Sequence, residues 1–151
     1  MNVRRAKRED FGTLIDMGEK FLAQTPWAHL GLDAPSTAET LSELVANPNG
    51  LLLVAEEEDE IVGMLGALAF PHYFNKQHTV CQELFWWVEE KARGTGAGRG
   101  LLQAAEAWTK ELGAKALMMI SLRGVPGADA VDRMYEKAGY VPAEHSYVRF
   151  L

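Results

Sequence analysis

The chain has 151 residues, which suits one domain able to bury about two-thirds of its unfolded surface. Apolar residues make up 48% and charged residues 24%, and no apolar run approaches the roughly 20 residues that span a bilayer, so a disordered chain and a membrane protein are excluded. The net charge of −6 disfavours nucleic-acid binding, the single cysteine, Cys81, excludes an internal disulfide, and the start lacks an apolar signal segment, so we expect a cytoplasmic protein.

The first part of the chain is predicted to form one strand and two helices. Residues 2–6 suit a short strand, and from about Arg8 apolar side chains recur at helical spacing. Residues 24–35 contain two prolines and a glycine, which predict a loop. Ser36 and Glu39 have the spacing of a capping box and predict the start of the second helix there.

Three strands are predicted next. Residues 51–55 and 61–70 suit two strands joined by an acidic hairpin tip, which we interpret as solvated. Residues 71–79 are polar and aromatic and are predicted to form a loop. Residues 84–88 are apolar without alternation, which predicts a central strand buried on both faces.

A glycine-rich segment, residues 93–100, follows the central strand and is called the glycine turn below. Its four glycines allow a sharp bend and close approach of bare amides to a ligand, and the first turn of the next helix adds unpaired N–H groups and a positive dipole end. This predicts an anion site. A Walker loop does not match because Arg99 and Gly100 stand where lysine and a hydroxyl residue are needed, and no acidic residue ends the next strand as in a Rossmann fingerprint.

The remaining elements are predicted from spacing and from turn residues. Apolar side chains at helical spacing follow the glycine turn as far as Gly113, and a fifth strand is predicted at residues 116–122. A short helix then stops at Gly139, and residues 140–141 and 147–151 suggest one or two last strands. This order of elements predicts a mixed three-layer α/β domain.

Two motifs resemble those of the GNAT superfamily of N-acetyltransferases. Residues 93–98, after an apolar strand ending at Val88, resemble its acyl-CoA-binding motif, Gln/Arg-x-x-Gly-x-Gly/Ala. Residues 134–140 resemble its late motif, a helix that carries a tyrosine and ends in Gly-Phe/Tyr. The resemblance implies a single acyl-CoA N-acyltransferase domain over residues 1–151, acetyl-CoA (CoA) as cofactor, and a mostly antiparallel mixed sheet splayed at strands 4 and 5 with about four flanking helices.

The resemblance also implies roles for particular residues. Amides of the glycine turn would hold the CoA pyrophosphate, and backbone groups of the strand before it would contact the pantetheine arm and the acetyl carbonyl. Tyr135 matches the tyrosine that protonates the CoA sulfur, whereas Ala128 stands where many members carry a cofactor-contacting asparagine. The implied cofactor-binding residues are Trp86, Trp87, Val88, Arg93, Gly94, Thr95, Gly96, Ala97, Gly98 and Arg99.

Glu83 is the candidate general base. Its apolar neighbours would desolvate the carboxylate and raise its pKa, so that it could accept the proton of an amine directly or through water. Gln82 lies about as close to the expected place, and a water chain alone is another alternative. His78 and Tyr73 are further candidates.

Aromatic and histidine side chains of the two predicted loops could line an acceptor site, or they could simply pack or be exposed. They are Trp27, His29, His72, Tyr73 and His78. Their spacing matches no metal site, and no metal is predicted.

The predicted function is transfer of acetyl from acetyl-CoA to a primary amine of a small-molecule or peptide acceptor, by direct attack in a ternary complex. The alternative is a non-catalytic domain that binds CoA or a nucleotide for sensing or assembly. We expect no nucleic-acid or membrane partner, and a homodimer is left open.

Overall fold

A computed structural model describes all 151 residues, which form five strands and four α-helices. The strands are β1 Asn2–Arg5, β2 Gly50–Glu57, β3 Glu60–His72, β4 Asn75–Val88 and β5 Leu117–Met118. The helices are α1 Phe11–Ala23, α2 Ala34–Ala46, α3 Ala97–Glu111 and α4 Ala128–Lys137. In the sheet the strands lie in chain order, with β1 to β4 antiparallel and β5 parallel to β4. The predicted fold class is confirmed.

The chain divides into two compact units, Met1–Ile120 and Ser121–Leu151. The first unit contains the whole sheet with α1, α2 and α3, and the second contains α4. The single domain predicted for residues 1–151 stays a prediction. None of the helices has the length and apolar character needed to cross a membrane.

Within the first unit, two apolar layers cover the two faces of the sheet. In β2, Leu51 and Leu53 pack in the layer that contains α3, which we call the α3-side core. Leu52 and Val54 alternate with them and pack with α1 and α2 in the α1/α2-side core. The sheet therefore lies between one helix on one face and two on the other, which is the predicted three-layer arrangement.

The loop predicted at residues 71–79 is wrong, because β3 and β4 form a long hairpin with only Tyr73 and Phe74 at its tip. Pro71 suggested a break. Ala69, two residues earlier, donates its N–H to Asn49 on the β2 side of the strand. The Pro71 nitrogen faces the same side of β3 as the Ala69 nitrogen. This position lies beyond Gly50, the first residue of β2, so the missing N–H of Pro71 removes no hydrogen bond between the two strands.

Two predicted boundaries also need correction. Helix α2 is capped by Asp33, whose side chain accepts from the Ser36 amide at 2.9 Å, so Ser36 lies inside the helix and the predicted capping box is wrong. The last strands predicted at residues 140–141 and 147–151 are absent, and those residues have no regular secondary structure. Strand-forming composition becomes a strand only where a partner supplies ladder hydrogen bonds, and the second unit contains no strand.

Candidate active site at the end of strand β4

Strand β4 carries a β-bulge at Leu84. Glu83 pairs with Ala67 and Phe85 pairs with Gly66, so Leu84 has no partner of its own on β3. Ala67 belongs to the α3-side core, which places the side chain of its cross-strand partner Glu83 on the α3 face. Leu84 and Phe85 both line a cavity on the opposite face, beside α1 and α2. The extra residue therefore reverses the alternation of side chains in the rest of the strand.

The residues after the bulge alternate between the two cores. Trp86 and Val88 pack against the α3-side core, whereas Trp87 is 8% exposed and belongs to the α1/α2-side core. Both tryptophan side chains thus contribute to packing. What these three residues offer a ligand is their backbone.

Strands β4 and β5 diverge directly after two paired positions. Cys81 pairs with Leu117 and Gln82 pairs with Met118, and no later residue of β4 pairs with β5. Beyond Gln82, β4 continues to Val88 in a ladder with β3 alone, so the edge of β4 that faces β5 belongs to no second ladder there. This opening is the splay that the sequence resemblance implied, although β5 itself is much shorter than the predicted residues 116–122.

The Glu83 carboxyl group lies at this opening and is only 4% exposed. One of its oxygens accepts a hydrogen bond from the Ile120 amide at 2.8 Å. Burial raises the pKa of Glu83 to about 7, while the Ile120 hydrogen bond partly opposes that shift. The group therefore changes charge near neutral pH.

The glycine turn bends the chain directly into α3. Gly96 is the N-cap residue with φ 104°, and Gly94 has φ 85°, two conformations that side chains with a Cβ rarely adopt. The Gly100 amide donates to the Gly96 carbonyl at 2.9 Å, in the first turn of the helix. Three amides precede that bond at the positive end of the helix dipole, those of Ala97, Gly98 and Arg99.

The other two glycines, Gly98 and Gly100, lie in tightly packed surroundings. A Cβ on Gly98 would lie 3.3 Å from the Trp86 ring, and a Cβ on Gly100 would lie 3.1 Å from atoms of Met1 and Val3. The glycine content of the turn therefore has two causes. Positive φ favours glycine at positions 94 and 96, and close packing favours it at positions 98 and 100.

Of the two arginines in the turn, Arg93 folds back onto β4. Its Nε donates to the Val88 carbonyl at 3.1 Å, and its guanidinium lies 5.0 Å from the centre of the Trp87 ring. Arg99 is exposed in the first turn of α3. Arg99 is thus placed beside the unpaired amides, whereas Arg93 steadies the end of the strand.

The cavity beside Leu84 and Phe85 has a volume of about 370 Å³, and we call it the acceptor cavity. Its floor is formed by β-strand side chains, and α1 and α2 form its walls. A Cβ on Gly66 would overlap the Phe85 ring, so glycine at this position lets the ring lie across β3. Sequence reasoning missed this cavity because each of its residues, taken alone, is typical of ordinary core or helix surface.

The predicted acceptor residues lie elsewhere. Trp27 and His29 are exposed in the short turn between α1 and α2. His72 stacks on Tyr73 at 4.6 Å near the β3–β4 hairpin tip, and His78 is exposed on β4. None of these five lines the acceptor cavity. Their contact with an acceptor stays a prediction.

A second cavity, of about 730 Å³, is polar and crossed by ion pairs. Arg4 contacts Asp10 at 2.8 Å and Glu56 at 2.5 Å, and Arg4 holds the pKa of Asp10 below its usual value. Lys20 pairs with Glu89 at 2.7 Å. Four of the six carboxylates that line this cavity are thus paired with three of the protein's own cations.

Tyr135 lies in the second unit, on α4, and is 7% exposed. Its ring centre is 5.5 Å from that of Tyr140, whose amide donates to the Tyr135 carbonyl. Gly139, with φ 90°, ends the helix as predicted. Arg123 pairs with Asp132 at 2.8 Å, which ties the preceding loop to α4.

Comparison with known proteins identifies the family. The model of the acetyltransferase (GNAT) family matches residues 15–140. The chain therefore belongs to the GNAT family of acyltransferases. A curated relative, aminoglycoside N(6')-acetyltransferase type 1 of Stenotrophomonas maltophilia, is 32% identical over an alignment of 98 residues, and the alignment covers 60% of this chain and 64% of the relative's length.

Solved structures share the fold over nearly the whole chain. A transcriptional regulator from Bacillus halodurans is 22% identical with a TM-score of 0.80, and 99% of each chain is covered. An aminoglycoside 6'-N-acetyltransferase from Acinetobacter haemolyticus is 19% identical with a TM-score of 0.76, covering 100% of this chain and 97% of that one. At these identities the likeness shows the fold alone.

Proposed function

We propose that the protein is an acetyl-CoA-dependent N-acetyltransferase that acts on a primary amine by direct attack in a ternary complex. The observation that carries this proposal is that β4 diverges from β5 after Gln82 and then leads into the glycine turn. Three amides at the positive end of α3 follow β4 after a short 3-10 turn, Glu90–Ala92, and the first residues of the glycine turn. A diphosphate suits such a helix start, and an extended amide-bearing arm suits the edge of a strand from which the neighbouring strand has diverged.

The chain's own residues divide the binding task. Amides of Ala97, Gly98 and Arg99 would hold the pyrophosphate, with the exposed Arg99 guanidinium adding charge. Backbone groups at residues 86–88 would contact the pantetheine arm along the β4 edge. Bound acetyl-CoA supplies the acetyl group as a reactive thioester.

Glu83 is proposed as the general base, acting through water. Its side chain lies on the α3 face, whereas Leu84 and Phe85 line the acceptor cavity on the other face. A proton from an amine in the cavity would therefore cross the opening between β4 and β5 on water. A pKa of about 7 leaves a substantial fraction of Glu83 ionised at neutral pH, ready to accept a proton.

The other candidates for base suit the task less well. Gln82 carries an amide that does not accept a proton at neutral pH, and it occupies the last position paired with β5. His78 and Tyr73 are exposed on the hairpin. Tyr135 is proposed as the acid that protonates the departing sulfur, because a phenol keeps its proton at neutral pH.

The test of this function combines binding with turnover. Acetyl-CoA is titrated into the protein by calorimetry, and thiol release is then followed over a panel of primary amines. Saturable binding with amine-dependent thiol release is the expected result. Absence of saturable binding would remove the proposal.

The non-catalytic alternative predicts acetyl-CoA or nucleotide binding without thiol release for any amine. No observation of the structure favours it over the enzyme. A homodimer and a cytoplasmic location stay predictions from the sequence.

A further inference from the structure

We infer that the acceptor is an amine on a compact apolar body, alkyl or aromatic, held in the acceptor cavity between α1, α2 and β4. This inference rests on the proposed function, since it names the amine that the transferase would modify. It separates this chain from enzymes whose acceptors are polycationic.

The chemistry of the cavity walls carries the inference. Leu84, Phe85 and Met64 supply the floor from the sheet, and Leu14, Phe21 and Leu22 supply the α1 wall. Eight of the fourteen lining residues have large apolar side chains, and just one is charged. Burying an apolar body against such walls is favourable, whereas burying an unpaired ammonium there is costly.

The one charged residue of the cavity is Asp33, which already serves the fold. Its Oδ2 accepts from the Ser36 amide at 2.9 Å and from the Ser36 hydroxyl at 2.5 Å, and these bonds hold its pKa below the usual value. The carboxylate therefore stays charged at neutral pH. Ser36, Thr37 and Thr40 continue a hydroxyl-bearing strip along the same α2 wall. One carboxylate beside three hydroxyls suits at most one distant polar group on the acceptor.

The size of the cavity points the same way. Its volume of about 370 Å³ lies near the lower end of the range of roughly 300 to 1,000 Å³ that is usual for ligand cavities. The larger cavity has six carboxylates, but Arg4, Lys20 and Lys91 pair with four of them, and neither Leu84 nor Phe85 lines it. A polycation thus lacks a suitable set of unpaired carboxylates beside the bulge.

The test uses two probe amines, 2-phenylethylamine and the aminoglycoside kanamycin. Binding of each to the protein is measured by calorimetry without cofactor, and acetylation is measured by thiol release with acetyl-CoA. We expect 2-phenylethylamine to bind and to show a kcat/KM at least about tenfold above that of kanamycin.

Two variants locate the binding. Leu22→Glu places a charge in the α1 wall and should weaken 2-phenylethylamine binding at least about tenfold, because the apolar body would then desolvate a carboxylate. Leu30→Glu makes the same chemical change at a side chain that is 67% exposed and outside the cavity, and it should leave binding unchanged. If Leu22→Glu does not fold, Leu84→Glu repeats the test. The Leu84 side chain is 41% exposed, so the fold tolerates a charge there.

The outcomes separate the two proposals. Tighter binding or more efficient acetylation of kanamycin overturns the inference and leaves the transferase standing. Failure of 2-phenylethylamine to bind, or unchanged binding in both cavity variants, also overturns it. If 2-phenylethylamine binds as expected but no amine releases thiol from acetyl-CoA, the transferase proposal fails while the assignment of the cavity stands.

Discussion

The Glu83 carboxylate accepts a hydrogen bond from the Ile120 amide at 2.8 Å and so links β4 to the segment that follows β5 across their opening. Burial raises the pKa of Glu83 from 4.5 to about 7, so folding favours its protonated form. The resulting stabilisation is complete below pH 4.5 and is lost as the pH rises through 7. We expect this group alone to lower the free energy of unfolding by about 2 kcal/mol between pH 5 and pH 8.

Urea unfolding of Glu83→Gln at both pH values checks this expectation. Glutamine can accept the same hydrogen bond from Ile120 but does not ionise, so the variant should show a flatter pH dependence and exceed the wild type in stability at pH 8. An equal pH dependence in the two proteins would show that Glu83 titrates normally.

The same substitution tests Glu83 as a base. If the carboxylate must be ionised to accept the proton, wild-type kcat/KM should rise with pH through about 7. Glu83→Gln should lower kcat/KM by about 10²-fold and remove that rise. Glu111→Gln, at an exposed residue that ends α3, is the matched control and should keep the wild-type profile. A Glu83→Gln variant with the wild-type pH profile would assign the base elsewhere.

The glycine turn is tested by Gly96→Glu. The new carboxylate would repel a diphosphate at the helix start, and φ of 104° strains any residue with a Cβ, so acetyl-CoA affinity should fall at least about tenfold. Gly113→Glu is the control, because Gly113 also has positive φ, 69°, but lies past the other end of α3. Titration calorimetry compares the two variants. Similar affinity in both would place the cofactor away from the turn.

Tyr135→Phe tests the proposed acid. Removing only the hydroxyl should lower kcat by about 10²-fold and leave acetyl-CoA affinity nearly unchanged. Tyr140→Phe, which alters the neighbouring ring 5.5 Å away, should keep most of the activity. Steady-state kinetics and calorimetry on the same samples compare the two variants. Equal losses of kcat in both variants would indicate a structural role shared by the two tyrosines.

Gly66→Ala tests the floor of the acceptor cavity. The added methyl group would overlap the Phe85 ring and should cost about 1 to 3 kcal/mol of unfolding free energy. In a Phe85→Leu background the same change should cost less, because the smaller side chain leaves room. Urea unfolding of the four proteins of this double-mutant cycle measures the coupling. Additive effects would mean that the cost of the methyl group does not come from the Phe85 ring.

The order of elements could be predicted because most strands and helices have a periodic apolar pattern with clear ends. The acidic tip is an example, since Glu58 and Asp59 both adopt positive φ at the predicted hairpin turn. The loop predicted at residues 71–79 was wrong because amino-acid composition does not show which strand lies beside a segment. The neighbouring strand decides whether these residues form a hairpin. The prediction of strands at residues 140–141 and 147–151 was wrong for the opposite reason. Their composition suits a strand, but the second unit contains no strand with which they could pair.

The site was predictable only in part. The glycines and arginines of the turn are recognisable in the sequence. The apolar neighbours of Glu83 in the sequence likewise predict its raised pKa. The bulge at Leu84 gives no such signal, because a one-residue insertion in an entirely apolar run disturbs no visible alternation. The acceptor cavity is assembled from distant segments, so only three-dimensional placement brings Phe21 and Phe85 together.

The bulge has a consequence for how such a chain can evolve. Loss of the single codon for Leu84 would remove the bulge, yet residues 85, 86 and 87 would keep their partners on β3 and their present faces, because Glu83 and Phe85 already lie on opposite sides of the sheet. Descendants of this chain that lose this codon should therefore keep the packing of both cores and lose only the contribution of Leu84 to the acceptor cavity.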